Sequence, residues 1–212
     1  MTIVLYEETA LSFDAIYPYV LPSVKGAALP LVDIAIAEAM AEFTRRTQVW
    51  EDELDVFQTE EGASVYEVPL PVDTIIAKLI DVNVGAQQYA LVNRRDARRN
   101  RLDGMTSQTA MLTGQHQITL YPVPSTVVDV STEAVLCTEL TARSIPGVLT
   151  EYLSDLAHGV LGRLMDQSGK AWTDHQQAAT KLARFNQRIK IIGLRTSINA
   201  SASRPWKEPD AY

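Results

Sequence analysis

The chain has 212 residues, 46% hydrophobic and 21% charged, with a formal net charge of -7. Such a length makes one large domain or two small ones, and the composition excludes a disordered chain. The excess of acid argues against bulk nucleic-acid binding as the main task, because phosphate contact needs surplus Lys and Arg.

The lone cysteine, Cys137, rules out an internal disulfide framework and suits a reducing cytoplasm. No Lys or Arg precedes Lys25, so the N-terminus lacks the pattern of a secretory signal. No apolar run approaches the ~18 residues of a membrane span. Nothing repeats at a solenoid period.

Residues 1–29 read as loosely structured, since Pro18, Pro22 and Pro30 interrupt any long helix. Phe13, Ile16 and Tyr17 suit one anchored helical turn. From Leu31 the spacing predicts a helix to about Thr47, with Pro30 where a first helical residue belongs. Val32, Ile36, Ala39 and Phe43 form its apolar stripe. Arg45 and Arg46 fall in its last turn, where cations oppose the negative helix end. Trp50 follows as a cover for one end of the core.

The pattern then changes from a period of 3.6 to a period of 2. Leu54 and Val56 flank Asp55, Tyr66 and Val68 flank Glu67, and Ile118 and Leu120 flank Thr119. Ile80, Val82 and Val84 alternate with Asp81 and Asn83, and a turn is expected at Asn83–Gly85. The longest run places Val128, Val130, Thr132, Ala134 and Leu136 inward and Asp129, Ser131 and Glu133 outward. Five or six short strands of this kind predict a small antiparallel β-sheet or barrel. Pro69, Pro71, Pro122 and Pro124 belong at strand ends or edges, having no N–H to give a central ladder.

The helical period returns in Leu149, Leu153, Leu156, Val160 and Leu164. A polar break, Asp166 to Lys170, contains Gly169, which suits a left-handed residue at a helix end. Thr173 and Gln176 have capping-box spacing. Ala178, Leu182, Phe185, Ile189 and Ile192 then form a second stripe. Two such helices joined by a short turn lie antiparallel. Gly159 and Gly162, on the flank of the first stripe, allow another helix to come close. The fold class expected is therefore α+β. An N-terminal helix and a C-terminal helical pair (residues 1–50 and 142–199) form a bundle, with a β region (51–141) inserted and an extended tail (200–212).

This stretch also carries a resemblance. Glu151-Tyr152-Leu153, Ala157-His158-Gly159-Val160-Leu161-Gly162-Arg163-Leu164-Met165, Gly169-Lys170-Ala171-Trp172-Thr173-Asp174 and Phe185 together resemble the C-terminal helical pair of head-to-tail adaptor proteins of tailed bacteriophages, also called connector or head-completion proteins. Ala41-Glu42-Phe43-Thr44-Arg45-Arg46-Thr47-Gln48-Val49-Trp50 and Leu120-Tyr121-Pro122-Val123-Pro124 extend it upstream, so it covers most of the chain in order. The resemblance implies a structural virion protein without catalysis or cofactor, assembled in the bacterial host cytoplasm and placed at the head-tail junction. It implies a ring of copies, usually twelve, docked on the portal protein. The ring extends the DNA channel and offers a platform to a tail or nozzle protein. In the family the C-terminal arm commonly reaches into the portal. Carried over, that arm is Ser201–Tyr212, with Arg204, Trp206 and Tyr212 as its contacts.

Sites of chemistry are few. His116, His158 and His175 have no His or Cys partner at a metal-ligand spacing. Asp155, three residues before His158 on the same helix, is placed to interact with it. His158 falls opposite the apolar stripe and reads as a surface or interface residue. There is no Gly-rich phosphate loop and no nucleophile elbow.

Charge layout is more informative. Glu51, Asp52, Glu53, Asp55, Glu60 and Glu61 form an acidic block without a basic residue. From His175 to Lys207 the charged residues are all basic, and Lys181, Arg184, Arg188 and Arg195 share one side of the last helix. Glu51, Glu53 and Asp55 of one copy are thus candidate contacts for Lys181, Arg184 and Arg188 of the next, a heterologous contact able to close a ring. Otherwise both blocks are solvated faces of a monomer. Arg94, Arg95, Arg98, Arg99 and Arg101 form a dense basic cluster. It suits either phosphate contact, in a nucleic-acid-binding accessory protein, or salt bridges to a neighbouring subunit. The acidic chain and the lack of interleaved aromatics favour the protein contact.

Overall fold

The computed structural model describes residues 10–93 and 108–203, with side chains of the last helix described to residue 198. The chain divides into a helical unit, Met1–Val49 with Arg143–Tyr212, and a β unit, Trp50–Ala142. Helix and strand are both abundant, so the class is α+β.

The helical unit opens with more order than its prolines suggest. Strand β1 (Leu11–Ser12) pairs antiparallel with β10 (Ser144–Ile145). A 3-10 turn over Phe13–Ala15, the four-residue helix α1 (Tyr17–Val20) and a second 3-10 turn over Leu21–Ser23 follow. Phe13, Ile16, Val20 and Val24 are buried, so successive short turns, each compatible with proline, carry one apolar row into the core.

Helix α2 (Leu29–Thr47) has Pro30 in its first turn and ends at Gln48, which takes the left-handed conformation at φ 52°. Val32, Ile36, Ala39 and Phe43 are all fully buried, as the stripe predicts. The buried Thr44 and Thr47 hydroxyls donate to the carbonyls of Met40 and Phe43, so neither is left unpaired inside the helix.

After a 3-10 stretch over Gly147–Tyr152 come α3 (Leu153–Met165) and α4 (His175–Ser203). Both pack with α2 in one bundle. Phe43 lies 5.2 Å from Tyr152 and 6.1 Å from Phe185 between ring centroids. A Cβ on Gly159 would come within 2.9 Å of the Phe185 ring, and one on Gly162 within 2.5 Å of Leu182 Cγ. The two glycines are therefore what lets α4 lie this close to α3.

Two details of the pair differ from the sequence reading. The α4 cap is Asp174: its Oδ1 accepts from the Gln177 N–H at 2.9 Å. Thr173 instead closes the preceding turn, bonding Lys170 N–H and the Gln167 carbonyl. Helix α4 also runs to Ser203, where an extended tail from residue 200 was expected. Ala200 and Ala202 favour helix, and no proline follows until Pro205, which biases the residue before it, Arg204, away from helix.

Among its described residues the β unit holds two four-stranded sheets. The first has the order β2 (Glu51–Gln58), β9 (Asp129–Thr138), β4 (Thr74–Val84), β5 (Gln87–Gln88), all antiparallel. The second has the order β3 (Val65–Glu67), β8 (Gln117–Tyr121), β7 (Thr109–Leu112), β6 (Ala90–Leu91). Its β6–β7 pair is parallel, an exception to the expected antiparallel pattern. The four prolines named above lie outside the strands, where their missing N–H costs no ladder bond.

Alternation misleads at three points. Leu54 is buried, but Val56 is 58% exposed and Phe57 turns inward, because the β2–β9 register shifts between Leu54 and Phe57. In β4, shifts after Ile76 and after Leu79 bury Leu79 and leave Ile80 half-exposed. Each irregularity reverses the phase of a period-2 pattern beyond it. Trp50 is buried within the β unit, and its carbonyl accepts from Leu136 N–H at 2.8 Å.

Candidate functional site

Among the described residues the candidate contacts form one acidic sheet face and one basic helix face. Strand β2 lies at the edge of its sheet and carries Glu51, Glu53 and Asp55 exposed at alternate positions. Asp52, between them, is half-buried, and burial pushes its carboxyl above the usual range. It belongs to the opposite side of the strand.

The pairing of strands enlarges the acidic face. Glu53 stands opposite Glu133 on β9, and Glu133 stands opposite Asp81 on β4. These three carboxyl-bearing residues line one shallow groove with Asn83, Ser131 and Thr132. Asp81 accepts from Asn83 Nδ2 and from Gln88 Nε2, each at 2.7 Å. No ion pair among the described residues involves Glu51, Glu53, Asp55 or Glu133. Like charges directly opposite on a sheet destabilise it, so this row costs the fold something.

On α4, Arg184 is exposed and Lys181 half-exposed. Arg188, the third residue expected as a contact, is half-exposed and also paired within its own unit. Its Nε donates to both carboxylate oxygens of the buried Asp155, at 2.9 and 3.0 Å. Asp155 therefore hydrogen-bonds Arg188, and its charge also acts on His158, three residues along the helix, as the spacing predicts. His158 is half-buried, its Nδ1 has no hydrogen-bond partner among the described residues, and burial with Lys181 and Arg184 nearby lowers its pKa. Further along α4, Leu194 and Ile198 are 64% and 65% exposed and one turn apart.

Another charged group lies within the bundle and was not legible beforehand. Arg163 on α3 binds Glu42 of α2, donates to the Gly159 carbonyl at 3.0 Å and sits 5.6 Å over the Phe185 ring. Glu42 also holds Arg46, which donates to Asn186 of α4 at 2.6 Å. This network ties three helices together. The i,i+4 spacing of Glu42 and Arg46 could have signalled one of its links.

Arg94, Arg95, Arg98, Arg99 and Arg101 lie outside the described residues, as do Arg204, Trp206 and Tyr212. The described residues contain no cluster of His, Cys, Asp and Glu able to hold a metal, and no helix long and apolar enough to cross a membrane.

The model of the SU10 adaptor protein family matches residues 17–208, nearly the whole chain. The chain belongs to that family, a group of phage head-tail adaptors that are structural rather than catalytic and associate with other virion components. No curated protein matches the chain.

Proposed function

We propose that the protein forms a ring, of twelve copies as is usual for such adaptors, docked on the portal at the head-tail junction. There it extends the DNA channel and presents a platform to the tail or nozzle protein. The observation that carries this is the family match over residues 17–208, which spans both the helical pair and the β unit. Nothing in this role calls for catalysis or a cofactor; the mechanism is ordered assembly.

The portal contact falls to the end of α4 and the residues beyond it. Leu194 and Ile198 are exposed on the helix that leads into Arg204, Trp206 and Tyr212. An aromatic anchor seated in a partner's pocket often contributes ~2 kcal/mol or more to binding. The free chain is a monomer, and the portal templates the ring, because exposed charge contacts are weak and screened by salt until subunits are concentrated.

The test is light scattering of the full-length chain alone and mixed with portal protein, followed by portal pull-down with a chain lacking Ser201–Tyr212 and with Trp206→Ala. A monomer alone, a ring with portal and weakened capture by both variants are expected. Undiminished capture by the truncated chain would move the anchor to the folded body. A wild-type chain that ignores the portal would overturn the reading.

A further inference from the structure

Neighbouring copies need a contact with a defined register, and the structure offers one. Glu53, Glu133 and Asp81 form a straight row across three adjacent strands, β2, β9 and β4. Directly opposed residues on a sheet have Cβ atoms roughly 5 Å apart, so the row concentrates negative charge within about two strand spacings. Glu51 extends it along the sheet edge. Among the described residues only Asp81 has its carboxylate held, and by neutral amides, which orient it without neutralising it.

The complementary face is on α4. Lys181 and Arg184 are one turn apart on the helix and have no ion pair among the described residues. Side chains at this spacing stand on the same face, at a distance comparable to that between adjacent strands. Arg188 belongs to the Asp155 pair and serves to hold α4 on α3.

We propose that the sheet face formed by Glu53, Glu133 and Asp81 on one copy receives Lys181 and Arg184 of the next. This rests on the ring reading above and names its subunit contact. The contact differs from the pairing suggested by sequence in two ways: Glu133 and Asp81 join it, and Arg188 leaves it. It joins unlike surfaces, so each copy keeps one free face for a further neighbour, as a ring requires. The repulsion in the acidic row is relieved when the cations arrive, so the row favours the assembled state over the free one. Being electrostatic and partly exposed, the contact sets register more than it supplies affinity.

The test uses full-length chains and purified portal protein, with bound copies counted by native mass measurement. One variant carries Glu53→Lys and Glu133→Lys, and the other Lys181→Glu and Arg184→Glu. All four positions are exposed or half-exposed, and thermal unfolding establishes that each variant folds. Wild type is expected to load a full ring. Each variant alone should give at least tenfold fewer complete rings, and their equal mixture should restore them, because the reversed faces are again complementary. Full rings from either variant alone, or no restoration in the mixture, overturn this contact while leaving the ring reading intact. Failure of the wild-type chain to load the portal overturns both.

Discussion

In the helical unit Glu42 binds Arg46 and Arg163, and Asp155 binds Arg188. In the β unit Glu51, Glu53 and Glu133 face no cation among the described residues. The first set of carboxylates is used up in holding helices together. The second is arranged in a row where each member repels the next. An arrangement that helps folding needs no partner to explain it, whereas one that opposes folding points to a use outside the folded chain. The helical unit is therefore the better-paired scaffold, and the acidic sheet face is the surface proposed above for the contact between copies.

The comparison breaks most readily in the helical core. Leu156 is fully buried on α3, and Leu156→Ala should destabilise the protein by roughly 2–5 kcal/mol in chemical denaturation. A loss near zero would mean that the bundle is not the scaffold.

Next in size is the close approach of α3 and α4. A Cβ on Gly162 would meet Leu182 Cγ at 2.5 Å and the Leu182 backbone nitrogen at 3.2 Å, so rotation of the side chain alone cannot make room. Gly162→Ala should cost about 1–3 kcal/mol by forcing the helices apart. A stabilising effect, which the higher helix propensity of alanine would give at an open site, would show that the helices are not in contact there.

A smaller effect tests the anchoring of the N-terminal turns. Tyr17 Oη donates to Asp33 Oδ1 at 2.6 Å, and this bond, with burial, pushes the Tyr17 pKa up to about 12 from the ordinary 10.0. The folded state thus keeps a proton that the unfolded chain loses first. Stability from this bond is present below pH 10 and is lost as pH rises from 10 to about 12. Tyr17→Phe should cost at most about 1 kcal/mol at neutral pH, given its partial exposure, and should flatten the fall in stability across that alkaline window. Identical pH dependence in the two proteins would contradict the bond.

The smallest expected effect is the sharpest for the comparison. Glu133 lies between Glu53 and Asp81, so Glu133→Ala should change stability by less than about 0.5 kcal/mol, in the stabilising direction. Thermal unfolding at low salt is the measurement. A clear destabilisation would mean that the carboxylate has a partner within the fold.

Periodicity alone determined α2, α3 and α4 as helices, though not their ends or the short turns before α2. A helix must bury one stripe, so Val32, Ile36, Ala39 and Phe43, or Ala178, Phe185, Ile189 and Ile192, announce their buried side without reference to any partner. The strands were legible as strands, but not their phase. A bulge between Leu54 and Phe57 leaves little trace in a short alternating run, and only the pairing with β9 shows it. The blocks of charge were also visible in sequence, down to Glu51, Glu53, Asp55, Lys181 and Arg184. Which charges stay unpaired was not visible, because ion pairing depends on distances across elements. Asp155 and Arg188 are 33 residues apart, and Glu53 and Asp81 meet only through Glu133. Spacing along the chain fixes what lies on one face of one element, and tertiary structure decides what those faces meet.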